Sequence, residues 1–454
     1  MTQRRASVPR RAIAGWVLFD WAVQPYFTLI TTFVYAPYFA SAIAPDPARG
    51  QALWGFASAS AGIMIALLSP LLGAIADAAG RRKPWIVAFG ALYVFGATML
   101  WFGKPGDASA VMLILTAYAI LAIGAEFATV FNNAMMPSLV PPERLGRLSG
   151  TGWAVGYVGG LVSLVVVLGL LAANPQTGKT LLGLSPVFGL DPALREGDRA
   201  AGPLAAIWFV LFVLPLFIFT PDLPRVRPLR EAVAHGLANI TETVRRLPRH
   251  RNLARFLLAN MIYADGLVAL FAFGGIYAAG TFGWGTIQIG IFGILLTITG
   301  TLGAWLGGKL DDRIGPKPVI LGSLVMLIIA TVAILSTTRD QILFVIAVEP
   351  PVAGGKLFAA TPEKFFICIG LLIGFVAGPM QAASRTLLVR LAPPAQMTQF
   401  FGLLALSGKV TSFLGPLMVG IVTSALASQK AGMAVLIVFF VVAGILLTRV
   451  RAPA

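Results

Sequence analysis

The sequence predicts an all-α membrane protein with twelve transmembrane helices in two pseudo-symmetric six-helix bundles. Three observations predict it. Hydrophobic residues make up 57% of the 454-residue chain and charged residues only 11%, where a soluble domain carries about 25% charge. The apolar residues gather in successive runs of roughly 20, the length a helix needs to cross the hydrocarbon core. Sequence motifs then recur in the second half of the chain in the order of the first, as a duplicated bundle requires.

The runs fall near 13–40, 53–77, 85–103, 109–136, 149–172, 204–220, 254–280, 287–308, 317–336, 365–389, 400–426 and 432–449. They divide the chain into an N-terminal bundle (1–220), a cytoplasmic linker (221–253) and a C-terminal bundle (254–454). The linker places Leu229, Val233, Leu237, Ile240, Val244 and Leu247 three and four residues apart among seven arginines. This spacing predicts a basic amphipathic helix on the anionic inner leaflet. The outer loops, 173–203 and 337–363, are long, and the apolar run Ile342 to Val348 is too short to span and is expected to pack at the outer surface.

Two repeats tie the halves together. Gly73-Ala-Ile-Ala-Asp77-Ala-Ala-Gly80-Arg81-Arg82-Lys83 follows span 2, and Gly308-Lys-Leu-Asp-Asp312-Arg313-Ile-Gly315-Pro-Lys317 follows span 8, 235 residues on. In each, an Asp follows a Gly by four, a second Gly comes three later, and cations follow. Such a stretch reads as a tight cytoplasmic hairpin: the first Gly lets backbones approach, and the cations hold the turn inside. The Asp can accept hydrogen bonds from a nearby helix N-terminus, whose partial positive charge favours a carboxylate. The second repeat, Leu139-Val-Pro141-Pro142 through Gly150, returns 252 residues later as Leu391-Ala-Pro393-Pro394 through Gly402, and Gly156 pairs with Gly408.

Charge distribution fixes the expected topology. The net charge is +16, which by itself would allow a nucleic-acid partner. With the N-terminus inside, however, 20 of the 34 Lys and Arg lie in cytoplasmic segments, 9 outside and 5 within the spans. That bias is an orientation signal; both termini are expected in the cytoplasm of a bacterial inner membrane, with no nucleic acid bound. The basic start around Arg4 and Arg5 resembles a signal peptide, but the following run is too long, carries Asp20 and lacks a cleavage pattern. A single cysteine, Cys368, excludes a disulfide framework or thiolate metal site. His235 and His250 both fall in the linker, so no intramembrane histidine relay is expected.

Polar residues inside the spans mark the candidate site. In span 1, Asp20, Gln24, Phe27 and Thr31 share a helical face beside Pro25, which can bend the helix. Asp20 is also close enough to the cytoplasmic end to snorkel or cap. Tyr118, Glu126, Thr129 and Asn133 share a face of span 4. An unpaired acid at the depth of Glu126 costs about 2.5–3.5 kcal/mol on insertion scales, so it faces water or a partner. Asp265 lies near the middle of span 7, Lys409 deep in span 11, and Gln381 and Arg385 one turn apart in span 10. The 252-residue shift pairs the last two with Thr129 and Asn133. Gly152, Gly156 and Gly160 form a small-residue face on span 5.

The two hairpins resemble the loop signature of the major facilitator superfamily, although Ala78 and Pro316 stand where that pattern usually has basic residues. Phe19-Asp20-Trp21-Ala22, Asp265-Gly266, Phe273-Gly-Gly-Ile-Tyr277-Ala-Ala-Gly280 and Ala405-Leu-Ser-Gly-Lys409-Val-Thr-Ser-Phe-Leu-Gly415-Pro416 narrow it. They look like the vacuole-effluxer-like branch, which includes fungal vacuolar amino-acid effluxers and bacterial relatives. Val23 replaces the Asn common after Trp-Ala there. The resemblance implies a major facilitator fold and a central cavity lined by spans 1, 4, 7 and 10. On that map Asp20, Gln24, Glu126, Asn133, Asp265, Gln381 and Arg385 face the cavity and Lys409 can reach it. Gly73, Asp77, Gly80, Arg81, Arg82, Gly308, Asp312, Arg313, Gly315 and Lys317 would form the gating hairpins.

The expectation is a monomeric secondary transporter that moves a small solute with protons, surrounded by membrane lipids. It is not an enzyme and needs no cofactor; no phosphate-binding loop is present for ATP. Asp20, Glu126 and Asp265 are the candidate proton carriers. Arg385 and Lys409 either hold a substrate carboxylate or neutralise Asp265 or Glu126. A passive facilitator would share this architecture, and a receptor or scaffold would show a soluble domain or catalytic constellation. In a Cys368→Ser background, Arg249→Cys should react with an impermeant maleimide only from the cytoplasm and Arg195→Cys only from outside. Outside labelling at position 249 would overturn the twelve-span topology.

Overall fold

A computed structural model describes residues 8–234, 251–284, 286–351, 357–409, 411–412 and 414–451, without the side chains of 47, 48, 276, 286, 287 and 409. Among the described residues, eleven helices are long and apolar enough to cross a membrane. They rest on α1 (Arg10–Pro25), α2 (Pro47–Ala79), α3 (Lys83–Met99), α4 (Val111–Leu139), α5 (Leu145–Val166), α6 (Ala201–Phe219) and α7 (Arg251–Phe282). The series continues with α8 (Thr286–Ile314), α9 (Pro316–Leu335), α10 (Thr361–Leu391) and, last in the chain, α13 (Gln429–Thr448).

The expected span 400–426 takes another form. It is two 13-residue helices, α11 (Met397–Lys409) and α12 (Leu414–Leu426). Pro416 lies in the first turn of α12, where its missing amide hydrogen costs no intrahelical bond. Span 1 is also irregular. Directly after Pro25 the backbone widens to a π-helix over Tyr26–Phe33, and again over Phe39–Ile43.

By packing, the chain separates into two units. The first comprises Met1–Pro141, Val155–Ile240 and Ala395–Ala405. In it α1 packs on α6, α3 on α4 and α6, and α2 on α4. Aromatic rings cement these seams: Trp21 stacks on Trp208 at 5.6 Å, Tyr93 on Phe209 at 4.5 Å, and Phe131 on both Trp85 and Phe89. Such pairs add about 0.5–1.5 kcal/mol each beyond simple burial. Buried polar heads find backbone partners, with Trp16 Nε1 donating to the Asn132 carbonyl at 2.7 Å and Tyr35 and Tyr38 hydroxyls donating to the Leu100 and Gly103 carbonyls.

The second unit comprises Pro142–Ala154, Thr241–Pro394 and Leu406–Ala454. Here α8 lies along α10, α9 packs on α10 and α13, and α7 packs on α12 and α13. The α8–α10 seam is built on glycine: a side chain on Gly303 would collide with the Phe375 carbonyl, and one on Gly378 would come 2.6 Å from the Gly300 carbonyl oxygen. Lipid supplies no hydrophobic drive between helices, so close backbone packing carries the association. At one end of this unit Trp284 donates to Glu363 Oε1 at 2.8 Å inside a cage of Phe282, Phe292, Phe358 and Phe366.

The run 342–348 forms a small antiparallel hairpin, β1 (Gln341–Ile342) with β2 (Ile346–Ala347), whose tip is exposed. In the linker, residues 229–234 are helical; Leu237, Ile240, Val244 and Leu247, with His235 and His250, lie outside the described residues. Overpacking typically costs 1–3 kcal/mol, so Gly303→Leu should lower the unfolding temperature in detergent by several degrees. Gly322→Leu, on an open face of α9, should leave it unchanged.

Candidate functional site

The hairpins are built alike. Asp77 ends α2 and receives the first free amides of α11: Thr398 N donates to Oδ1 at 3.1 Å and Gln399 N to Oδ2 at 2.8 Å. Asp312, 235 residues later, receives the first amides of α5, with Arg147 N donating to Oδ1 at 3.0 Å. The 252-residue shift that pairs the two Pro-Pro repeats maps Arg147 onto Gln399. Each carboxylate therefore caps a helix start from a neighbouring helix end, where the helix dipole favours it. The glycines permit the approach. A side chain on Gly73 would come 2.7 Å from Gln399 Cα, and one on Gly308 2.6 Å from the Gly146 carbonyl oxygen. Gly80 and Gly315 turn the chain at φ +94° and +86°, which L side chains rarely adopt.

The copies differ in how their cations are used. Arg82 is buried; it pairs with Asp77 at 2.5 Å and donates to the Ala76 and Gly80 carbonyls, so the first hairpin is tied to itself. Burial lowers the pKa of its guanidinium, while Asp77 and Asp222 oppose the shift. In the second copy Lys317 instead donates to the carbonyls of Thr448 and Val450 at the end of α13. Arg81 and Arg313 are exposed. Ala78 packs with Ile75 and Ala232 of the linker, and Pro316 opens α9.

Within the first unit, Asp20 and Gln24 lie against α5. A side chain on Gly156 would come 3.4 Å from both, and one on Gly160 2.8 Å from Gln24 Cγ. Tyr26 lies within electrostatic reach of Tyr118 and Glu126, and the Tyr118 hydroxyl shares a 2.9 Å hydrogen bond with Ser58. Glu126 is half-buried, and Asn133 is buried. All three of Asp20, Glu126 and Asn133 have interaction partners.

Within the second unit, Asp265 is 1% exposed near the middle of α7. It lies beside the Thr411 hydroxyl, and a side chain on Gly415 would come 2.5 Å from its carbonyl oxygen. The acid therefore faces the break between α11 and α12. Its Oδ1 has no hydrogen-bond partner among the described residues; the Lys409 side chain lies outside them. Arg385 Nε donates to Ser149 Oγ at 3.0 Å, one Nη donates to the Ser149 carbonyl at 2.7 Å, and the group sits 5.4 Å from the Trp153 ring. Gln381, one turn away, donates to the Ala377 carbonyl at 3.3 Å.

Several participants were not singled out from sequence. Asn260 donates to Ser407 at 3.0 Å, and the Tyr263 and Ser384 hydroxyls share a 2.6 Å bond, linking α7 to α11 and α10. Asp311, buried beside Asp312, accepts from Thr386. An amide in an apolar run was a usable signal for Asn260. Nothing in a two-Asp tandem says which acid turns inward. Hydrogen bonds to charged groups are worth about 1.5–3 kcal/mol, so Asp77→Asn should raise amide exchange at 398–401 by roughly tenfold or more. Mass spectrometry of exchange in detergent reads this; unchanged protection would remove Asp77 from the cap.

Comparison with known proteins identifies the family and the fold. Residues 140–453 match the family described as vacuole effluxer Atg22 like. An uncharacterized MFS-type transporter, YxiO, of Bacillus subtilis is 25% identical over 437 residues, covering 95% of this chain and 93% of that protein. Autophagy-related protein 22 of Cryptococcus neoformans is 26% identical over 307 residues, covering 65% of this chain but 48% of its own length. The chain thus spans nearly all of the bacterial relative and about half of the fungal one. Among solved structures, the major facilitator transporter FucP has a TM-score of 0.69 at 16% identity, covering 99% of this chain and 100% of its own. The human organic anion transporter MFSD10 has 0.67 at 18%, covering 96% and 99%. The chain adopts the major facilitator fold and belongs to the vacuole effluxer Atg22-like family of multi-pass membrane transporters.

Proposed function

We propose that this transporter exports a small solute, an amino acid or related metabolite, by proton-coupled alternating access, with both termini cytoplasmic. The observation that carries the coupling is Asp265, a buried acid in mid-span facing a broken helix. Discontinuous helices expose backbone ends that serve as substrate and ion sites in other transporters. Loss of hydration favours the neutral acid, and a changing environment across the cycle lets it release the proton. Asp20, Gln24, Glu126, Asn133 and Gln381 are assigned to the solute path. Arg385 already donates to Ser149, so binding a substrate carboxylate would require it to exchange that partner. Lys409 is assigned as the cation that pairs with Asp265 in one state. In the cycle, the six-span halves 1–220 and 254–454 rearrange, and the Asp77 and Asp312 caps release and re-form.

A thermal-shift screen of purified protein against amino acids, dipeptides and organic acids identifies the solute. Proteoliposomes with an imposed pH gradient then test coupling. Asp265→Asn should lose accumulation against the solute gradient yet keep solute exchange, because exchange moves no net proton. Asp77→Asn should slow both about tenfold while KM stays within about twofold, the effect of ~1.4 kcal/mol on a rate. If Asp265→Asn and Glu126→Gln both still concentrate solute, neither acid couples the cycle.

A further inference from the structure

Two cavities of about 550 and 360 Å³ flank the first hairpin and share Arg81 and Pro84 in their walls. The smaller brings Arg81 together with Arg225 and Arg227 of the linker, over Trp85 and Leu229. The linker is fixed there by three contacts. Val226 N donates to the Ala79 carbonyl at 2.9 Å, Pro224 closes on Gly80, and Ala232 packs on Ile75 and Ala78. The one acid lining either cavity, Asp222, is already spent. Its carboxylate receives the backbone amides of Arg82, Lys83 and Leu223, at 2.9, 3.3 and 2.8 Å. Lys83 points its ammonium at the Phe217 carbonyl, and Arg82 is turned inward to Asp77. Three guanidinium groups therefore converge on one groove, and among the described residues none of them makes an ion pair.

We propose that this groove binds the phosphate of an anionic phospholipid headgroup. Arginine is suited to phosphate because its donors form a planar fork. The apolar wall selects a lipid over a soluble phosphate. Val87 and Leu229, beside the arginines, are 56% and 58% exposed, and α3 starts here and crosses the membrane. Acyl chains can follow this exposed face, and Trp85, near the start of this membrane-crossing helix, suits the headgroup region where aromatic rings are enriched. The lipid bridges the hairpin's Arg81 to the linker's Arg225 and Arg227. It thereby holds the linker against the helix end that carries Asp77. This goes beyond the transport reading and needs no solute to test.

Full-length protein in nanodiscs of equal phosphatidylglycerol and phosphatidylcholine, released for native mass spectrometry, reads the bound lipid. Wild type should retain phosphatidylglycerol in preference. Arg81→Gln/Arg225→Gln/Arg227→Gln should lose that preference by about tenfold or more, from the worth of each cation near an anionic surface. The corresponding triple Lys variant should keep most of it. If the triple Gln variant does not fold, Arg225→Gln alone, an exposed side chain, should lose about three- to fivefold. No preference in wild type, or an undiminished one in the Gln variants, overturns the site. Displacement of phosphatidylglycerol by millimolar glycerol 3-phosphate would make it a soluble-phosphate site and equally overturn the lipid assignment.

Discussion

A buried backbone amide left unpaired costs about 1–3 kcal/mol, and the free amides at a helix start have no partner within their own helix. At the starts of α5 and α11 those amides are received by Asp312 and Asp77. Much of the surrounding structure follows from this one need. An acid can reach a neighbouring helix start only if the backbones nearly touch, so Gly73 and Gly308 sit one turn before it. The helix bearing the acid must then stop and reverse, which Gly80 and Gly315 do at positive φ. Arg82 completes the first copy by spanning the turn it closes.

The same constraint explains why the two copies are not identical. A buried carboxylate needs its charge offset nearby. In the first hairpin Arg82 offsets it, and the carbonyls of that turn accept from the same side chain. In the second, Lys317 is drawn to the end of α13, and Asp312 meets Arg147, a largely exposed side chain, at 3.4 Å. The first pair is therefore the more buried of the two. The linker adds contacts there, with Asp222 receiving the first amides of α3 and Ala232 packing on Ala78.

Around Asp265 the logic is reversed. The break between α11 and α12 lies beside a buried acid. Asn260, Tyr263 and Ser384 bind α7 to its neighbours on either side of this point. The polar groups near the break are thus held in place by the helices they do not belong to.

Sequence alone determined the major facilitator fold, eleven of the long apolar helices and the repeated hairpins, because apolar length and repeated motifs are local properties of the chain. It also showed that the acid of each hairpin suits a helix start, because the partial positive charge there favours a carboxylate. It did not reveal that residues 400–426 make two helices. An apolar composition fits one helix or two, and whether a Gly-Pro breaks it depends on what packs alongside. Nor did it show that Asp311 turns inward, that Arg385 is engaged by Ser149, or that Arg225 and Arg227 meet Arg81. Each of these depends on which side chains from distant segments share a pocket. Helical periodicity fixes the face a residue occupies, but only tertiary packing decides what stands opposite it.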